Sequence, residues 1–384
     1  MLADSLLTNF MASKNYTKER VRKIIRKVEE DGKKVDLILL KNATEPHLDL
    51  SFFYITGLEA GLFEGCALAA YPDGETRVYT SKLEEQSALK GGKRFQVTTF
   101  KDRKNLAELL KKDISEGKLK IGINSNELTH KSFEDFRSVF PKAEFVDISS
   151  AIVRARMVKD EHEIIAIKES ARIASKAFPK LIDSLKDGMT EYEVAAFLNS
   201  TMQHLGAQGP SFDTIVAFGE NSAEPHYSPR SFKLKKGQFA LFDYGAKYRR
   251  YCSDITRTVV YGKASKEQRE IYDIVMEANQ LGIDSSRIGT KAGDIHQKVS
   301  KFIDKTKYKG RFIHSTGHTI GLAVHDGAVI HPGFDGIIEE NMVFTIEPGI
   351  YLPGFGGVRI EDDIVVRRNK AEVLTTAPKE LIEV

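Results

Sequence analysis

FDYGAKYRRYCSDITRT (242–258) reads as a hairpin with two acids set inside it. Its flanks, FALF and ITRTVVY, are apolar, β-branched and aromatic, the composition of buried strands. A tight turn at Tyr248–Arg249 would set Asp243 directly opposite Asp254. Like charges opposed on one face of a sheet repel, and two buried carboxylates are costly unless a cation compensates them. The pattern recurs in TIEPGIYLPGFGGVRIEDD (345–363), where PGFGG (353–357) marks the turn and pairing about Gly354 sets Glu347 opposite Glu361. Taken singly, either pair reads as a strand end that is solvated or salt-bridged to Arg250, Arg257 or Arg359. Taken with HSTGHTIGLAVHDG (314–327), a histidine-rich strand in a chain of ten histidines, the two pairs read as a metal site. Oxygen-rich ligation with a single nitrogen suits Mn²⁺, Co²⁺ or Zn²⁺. Four carboxylates carry too much charge for one catalytic ion. They suit two ions about 3.5–4 Å apart, bridged by carboxylates and sharing a water or hydroxide as nucleophile.

The rest of the chain narrows the setting. At 384 residues, two domains are expected. Lys+Arg is 57 against Asp+Glu 54, and no single-sign block or basic stripe with interleaved aromatics marks a nucleic-acid surface. Cys66 and Cys252 lie far apart without a CxxC, so both read as buried free thiols in a reducing interior. MLADSLLTNFMASKNYTKER carries Asp4 in its apolar part and no basic start, so no signal peptide is expected. No apolar run approaches the roughly 20 residues that span a bilayer. The expected location is the cytoplasm, and residues 1–16 have no assigned role.

Along the chain, 17–32 has helical spacing closed by Gly32, and VDLILLK, SFFYITGL, FEGCALAAYP and TRVYTSKL read as strands, with PDGE turning between the last two. NLAELLKKDISEG reads as a helix and KIGIN as a strand, which makes residues 1–155 an α/β domain. From 156 to 384 the order is helices, hairpin, helices, hairpin. VKDEHEIIAIKESARIASKAFPKLIDSLKDG is a long amphipathic helix region, and Thr190 with Glu193 forms a capping-box pattern in GMTEYEVA. The fold class is therefore α/β followed by α+β, with two similar halves about a pseudo-twofold.

These residues resemble the metal-dependent pita-bread peptidases, which include prolidase and aminopeptidase P. The resemblance covers nearly the whole chain: Asn42 and Pro46 with FYITG, then VKDEHEI, GMTEYEVA, DYGAKYRRYCSDITRT, HSTGHTIGLAVHD, EPGIY and GGVRIEDD. It implies five metal ligands, Asp243, Asp254, His318, Glu347 and Glu361, with Asp254 and Glu361 bridging and Glu347 also accepting a proton from the bridging water. It implies that His226, in EPHYSP, contacts substrate near the scissile bond, and that His325 stabilises the oxyanion or leaving group. His314 matches a further active-site histidine, and Arg359 an arginine that anchors the bridging carboxylates and faces the substrate. His296 reads as structural, and His331 as structural or a substrate contact.

The resemblance also implies cleavage of the bond before proline in short peptides, with Phe212 and Val324 lining an apolar pocket for the ring. It implies a homodimer built through the N-terminal domain, which restricts access. Two departures from the family pattern are Thr319, where glycine is frequent, and Asp326, where glutamate is usual. GAVIHPGFDG supplies no Arg or Lys for a dipeptide's free carboxylate, only His331, which leaves dipeptidase and aminopeptidase both open. A catalytically inactive binding protein on the same fold, a creatinase-like hydrolase and a methionine aminopeptidase fit less well. The first two lack the intact ligand set, and the third lacks the added domain.

Overall fold

Asn15 accepts the backbone N–H of Lys18 and starts α1 (Tyr16–Glu30). Its inward positions Val21, Ile24, Ile25 and Val28 are all buried, as the helical spacing predicts. The structure, a computed structural model, describes residues 15–114, 117–368 and 370–384. The reading of the first residues as no leader falls mostly outside the described residues. Two compact units divide between Arg156 and Met157.

The first unit continues through β1 (Leu37–Lys41), α2 (Leu50–Thr56), β2 (Ala67–Ala70), β3 (Thr76–Ser81), α3 (Glu85–Leu89), β4 (Gln96–Phe100), α4 (Arg103–Asp113), β5 (Lys120–Ile123), α5 (His130–Val139), β6 (Glu144–Asp147) and α6 (Ser149–Met157). Its six-stranded sheet has the order β4-β3-β2-β1-β5-β6. The β1–β2 and β2–β3 pairs are antiparallel and the others parallel. SFFYITGL is α2 and not the strand its aromatic and β-branched residues suggested. Asp49 accepts the N–H of Ser51 at one end, and Gly57 closes the other in the left-handed region at φ 62°. With Ser51 through Thr56 all buried, tertiary packing and two good caps outweigh the strand preference of the residues.

The second unit opens with α7 (Glu161–Ser184) and α8 (Glu191–His204), each started by a formed capping box, Asp160 with Glu163 and Thr190 with Glu193. There follow β7 (Gly209–Pro210), β8 (Ile215–Phe218), β9 (Gln238–Tyr244), β10 (Ala246–Tyr248), β11 (Tyr251–Cys252) and β12 (Ile255–Tyr261), then α9 (Lys266–Ser285) and α10 (Ala292–Asp304). The last strands are β13 (Val343–Ile346), β14 (Gly349–Leu352), β15 (Gly356–Arg359), β16 (Asp362–Val366) and β17 (Ala371–Val373). Helices α7 and α8 pack on the β12-β9-β8 sheet through Ile173, Phe178, Val194, Leu198, Phe218 and Phe242. Helices α9 and α10 pack against β12, β14 and β15 through Ile271, Tyr272, Val275, Val299, Ile350 and Val358. Each hairpin thus has an apolar face covered by a helix pair, and its other face is left for the acids.

Candidate metal centre and active site

The first acid hairpin is not paired as its sequence suggested. Ile255 faces Tyr244 and Thr256 faces Asp243, so the turn is centred on Arg249–Arg250. Both arginines have positive φ, 49° and 70°, the two-residue turn whose twist matches antiparallel strands. The turn sits one residue further along, and every cross-strand partner moves by two. Asp254 therefore lies diagonal to Asp243, but on the same face, because strand side chains repeat every second residue. Asp254 falls in a break of the ladder beside Gly245, where a Cβ would come 1.8 Å from the Ser253 carbonyl oxygen. Its N–H is taken by Asp363 Oδ2 at 2.9 Å.

The second hairpin has the expected register, Gly349 with Arg359 and Thr345 with Asp363. Glu347 and Glu361 fall opposite each other in the gap between those two ladders. Their N–H groups leave the hairpin. Glu347 donates to Thr316 O at 2.8 Å and Glu361 to Thr256 O at 3.1 Å. The second contact stitches the two hairpins together at the acids. The stretch around His318 is not a strand in a ladder: it is extended chain held by isolated bridges, His318 to Val329 and Thr319 to Phe344. Gly317 is required there, since a Cβ would lie 1.8 Å from the Thr345 carbonyl oxygen.

Ligand atoms of Asp254, His318 and Glu361 all lie within 4.8 Å of one another. His318 Nε2 is 3.6 Å from both Asp254 Oδ2 and Glu347 Oε1. Oδ1 of Asp243, Oδ1 of Asp254 and Oε1 of Glu361 are buried and accept no hydrogen bond from the described residues. Such oxygens are expensive unless a cation meets them. Burial first, then the charges of Glu361 and Asp243, push the Asp254 carboxyl well above the usual range. Burial, with Glu347 and Asp243, does the same to Glu361. Burial raises Glu347 to about 8, opposed by Arg359. Burial lowers His318 to about 3, which leaves a neutral imidazole able to ligate. The donor set is that of a divalent cation site, and these residues fit one.

Arg359 has its donors committed around the acids. It donates to Asp243 Oδ2 at 2.5 Å, to the Tyr351 hydroxyl at 2.9 Å, to Thr256 Oγ1 at 3.0 Å and to Pro225 O at 3.4 Å. Thr256 Oγ1 in turn donates a hydrogen bond to Glu361 Oε2 at 2.6 Å. Arg257, the other arginine beside the acids, turns away to Asp362 at 2.8 Å. His314 sits at 2.8 Å from both the Tyr351 hydroxyl, through Nε2, and Ser315 O, through Nδ1. Burial and the Arg359 charge hold it neutral, lowered to about 3. Both nitrogens of His314 are therefore engaged within the protein.

One cavity of about 520 Å³ is lined by all eleven residues singled out above: Phe212, His226, Asp243, Asp254, His314, His318, Val324, His325, Glu347, Arg359 and Glu361. Ile215 and Val329 extend its apolar wall beside Phe212 and Val324. The His325 ring stands edge-on to His318, centroids 4.2 Å apart, and burial with the nearby His226 lowers its pKa. His296 is structural, bonded to Thr316 Oγ1 at 3.0 Å, and His331 accepts the N–H of Gly333 at 3.0 Å. The two departures work together on the turn that carries His325. Thr319 Oγ1 donates to Asp326 O and accepts from Ala328 N, and Asp326 Oδ2 accepts from Leu322 N. Sequence reasoning missed Tyr351, Thr256 and Thr345, the last of which donates to Glu347 Oε1 at 3.4 Å, although Tyr351 stands in EPGIY and the threonines lie two residues from acids on the same strand face.

Buried carboxylates and a neutral histidine facing a substrate-sized cavity define a metal-dependent hydrolase. Residues 165–368 match metallopeptidase family M24 and residues 20–158 match the creatinase/prolidase N-terminal domain; the chain belongs to that family and has its pita-bread catalytic fold. It is 33% identical over 365 residues to the Xaa-Pro dipeptidase of Pyrococcus furiosus, spanning 95% of this chain and 100% of the relative. The Xaa-Pro dipeptidase from Bacillus anthracis superposes with a TM-score of 0.86 at 33% identity, over 96% of this chain and 100% of that one. The X-Pro aminopeptidase from Thermotoga maritima superposes with a TM-score of 0.85 at 33% identity, over 94% and 100%. No helix among the described residues is long and apolar enough to cross a membrane.

Proposed function

We propose that this metallopeptidase is of the Xaa-Pro dipeptidase (prolidase) type and hydrolyses the Xaa-Pro bond of short peptides, with two divalent ions, Mn²⁺ or Co²⁺ before Zn²⁺, held by Asp243, Asp254, His318, Glu347 and Glu361. The observation that carries the reading is the convergence of orphaned acid oxygens, paired histidines and an apolar wall on one cavity. Ions bound there would supply a water acidic enough to attack at neutral pH and a Lewis acid for the carbonyl. Asp243, fixed by Arg359, keeps its place when substrate enters. Glu347, whose carboxylate lines the cavity beside His318, is placed to take up the proton released in attack. His325, neutral and braced against His318, donates to the developing oxyanion, and His226 contacts the scissile amide from the opposite loop. The prolyl nitrogen has no N–H, so the ring itself must be gripped, and Phe212, Ile215, Val324 and Val329 offer the apolar surface. Residues 1–155 would serve access and dimerisation and residues 156–384 catalysis. The support for a homodimer is the family resemblance. The buried free thiols Cys66 and Cys252 suit a cytoplasmic enzyme.

The aminopeptidase reading is favoured by one feature. Arg359 is the only Lys or Arg among the described residues lining the cavity, and its donors are engaged. A dipeptide's free carboxylate finds no Lys or Arg there beyond Arg359, whose three nitrogens each already donate. The deciding experiment offers metal-stripped enzyme an Xaa-Pro dipeptide and an Xaa-Pro-Xaa tripeptide, with and without Mn²⁺ or Co²⁺. Metal-restored cleavage of the dipeptide supports the dipeptidase, and preference for the tripeptide supports the aminopeptidase. Cleavage of neither leaves the inactive binding protein.

A further inference from the structure

We infer that Glu191 is a positioning residue that sets His226 for catalysis from outside the cavity. The inference rests on the reading of His226 as a substrate-contacting histidine. The chain from the end of β8 at Phe218 to the start of β9 at Gln238 holds one short 3₁₀ turn, Gly219–Ala223, and an isolated bridge from Lys233 to Thr190, and neither includes His226. An exposed histidine on such a loop has no ladder to fix its direction. Glu191, the first residue of α8, is fully buried, and its carboxylate collects four donors from this one loop. Oε1 accepts from Phe218 N at 2.9 Å and from Asn221 Nδ2 at 3.0 Å. Oε2 accepts from the Tyr227 hydroxyl at 2.8 Å and from Arg230 N at 2.9 Å.

The residues on either side of His226 are therefore both held. Pro225 O receives Arg359 from the acid side, and the Tyr227 hydroxyl is held by Glu191 from the helix side. The helix N-terminus favours the negative charge where it sits, and a carboxylate with four donors has its buried charge well compensated. The neighbouring Glu193, in the same first turn, instead closes the capping box with Thr190. The acidic pair in GMTEYEVA thus divides: one glutamate starts the helix, and the other orders a loop.

Glu191→Gln tests this, because the amide keeps the size but turns one acceptor into a donor facing donors. In the metal-loaded enzyme, amide hydrogen exchange over residues 219–232 should rise about tenfold or more. The kcat should fall on the order of 10²-fold, KM should change far less, and metal stoichiometry should match the wild type. In the His226→Ala background the same change should cost no more than about twofold further in kcat. A full additional loss in that background, or wild-type exchange over 219–232, would overturn the inference. Tyr227→Phe removes one of the four bonds and serves if Glu191→Gln does not fold: faster exchange in the same peptide supports the inference, and unchanged exchange overturns it. A wild-type enzyme that cleaves no Xaa-Pro peptide would sink the functional reading alone, since exchange reads the loop without turnover.

Discussion

In the first acid hairpin Asp243 stays inside the β9–β12 ladder, opposite Thr256, while Asp254 drops into the break beside Gly245. In the second, Glu347 and Glu361 both leave the ladder at mirrored positions between β13–β16 and β14–β15. The difference extends to charge. Asp243 holds a permanent cation, Arg359 at 2.5 Å. Glu361 receives only a hydroxyl, from Thr256, and burial and neighbouring acids push it and Asp254 well above the usual carboxylate range. One oxygen of Asp243 is met by Arg359, while its Oδ1, Asp254 Oδ1 and Glu361 Oε1 have no hydrogen-bond partner among the described residues. That asymmetry is what a site needs if it must be fixed in place yet still bind ions.

The sharpest way to break this comparison is to take one acid from each hairpin. Asp254→Ala and Glu361→Ala should each lower kcat by 10³-fold or more, roughly the several kcal/mol a catalytic metal supplies, and each should lower the bound metal measured by elemental analysis. Full metal content and activity in Glu361→Ala would remove the second hairpin from the site.

The next effect is on pH and stability. Between about 6.5 and 8 the folded, metal-free protein holds a proton on Glu347, raised from 4.5 to about 8, and the upward shifts of Asp254 and Glu361 act in the same sense. The unfolded chain has released these protons. The native state thus binds more protons, and stability must fall as pH rises through this window. The lowered pKa values of His314 and His318 act in the opposite sense, but only below their ordinary value of 6.5. Metal-free enzyme should therefore melt lower at pH 8 than at pH 6.5, by about 2–4 °C per kcal/mol lost. Metal binding displaces those protons, so the loaded enzyme should show no such decline. A metal-free melting temperature that rises across the window contradicts the charge assignment.

The two hairpins also mark how far the sequence could be read. PGFGG locates the second turn because glycine and proline fix where the chain reverses, and Glu347 then faces Glu361. YRRY carries no such mark: its turn needs two left-handed residues, and arginine does not announce that. Asp243 and Asp254 were still assigned to one face, because an error of two residues preserves the alternation where an error of one would have reversed it. The density of histidines in 314–327 pointed to a metal site, but the separate roles of the cavity histidines were legible only as members of a family pattern. His226 lies on a loop without periodicity, and its direction depends on Glu191, far away in sequence. The strand expected at SFFYITGL failed because its caps and complete burial, not its residue preferences, decide the helix.

A smaller effect should separate fixed charge from fixed geometry in the first hairpin. Arg359→Lys keeps the charge but loses the planar fork that reaches Asp243, Thr256 and Tyr351 together. Metal affinity should weaken by about 10–100-fold, the usual cost of disturbing a group that orients a ligand, with the fold intact by circular dichroism. Unchanged affinity in competitive chelator titration would mean that charge alone is enough.

The smallest effects concern the turns themselves, and they should have opposite signs. Arg249 and Arg250 hold φ of 49° and 70°, a region that costs an L-residue roughly 1 kcal/mol. Replacing them with Asn-Gly, the pair such a turn favours, should raise stability by about 1 kcal/mol or less. The gain is reduced by loss of the Arg249 guanidinium over the Tyr248 ring, 5.5 Å away. Arg250 N keeps its bond to Gln208 Oε1, because only the side chain changes. In the second hairpin Gly356 sits at φ 137° with Gly219 O only 2.9 Å from where a Cβ would be. Gly356→Ala should therefore destabilise by more than the first change stabilises, and it should also slow turnover, because β15 carries Arg359. If Asn-Gly instead lowers the melting temperature, the arginines are held by contacts worth more than the strain of their backbone, and the first turn is as specialised as the second.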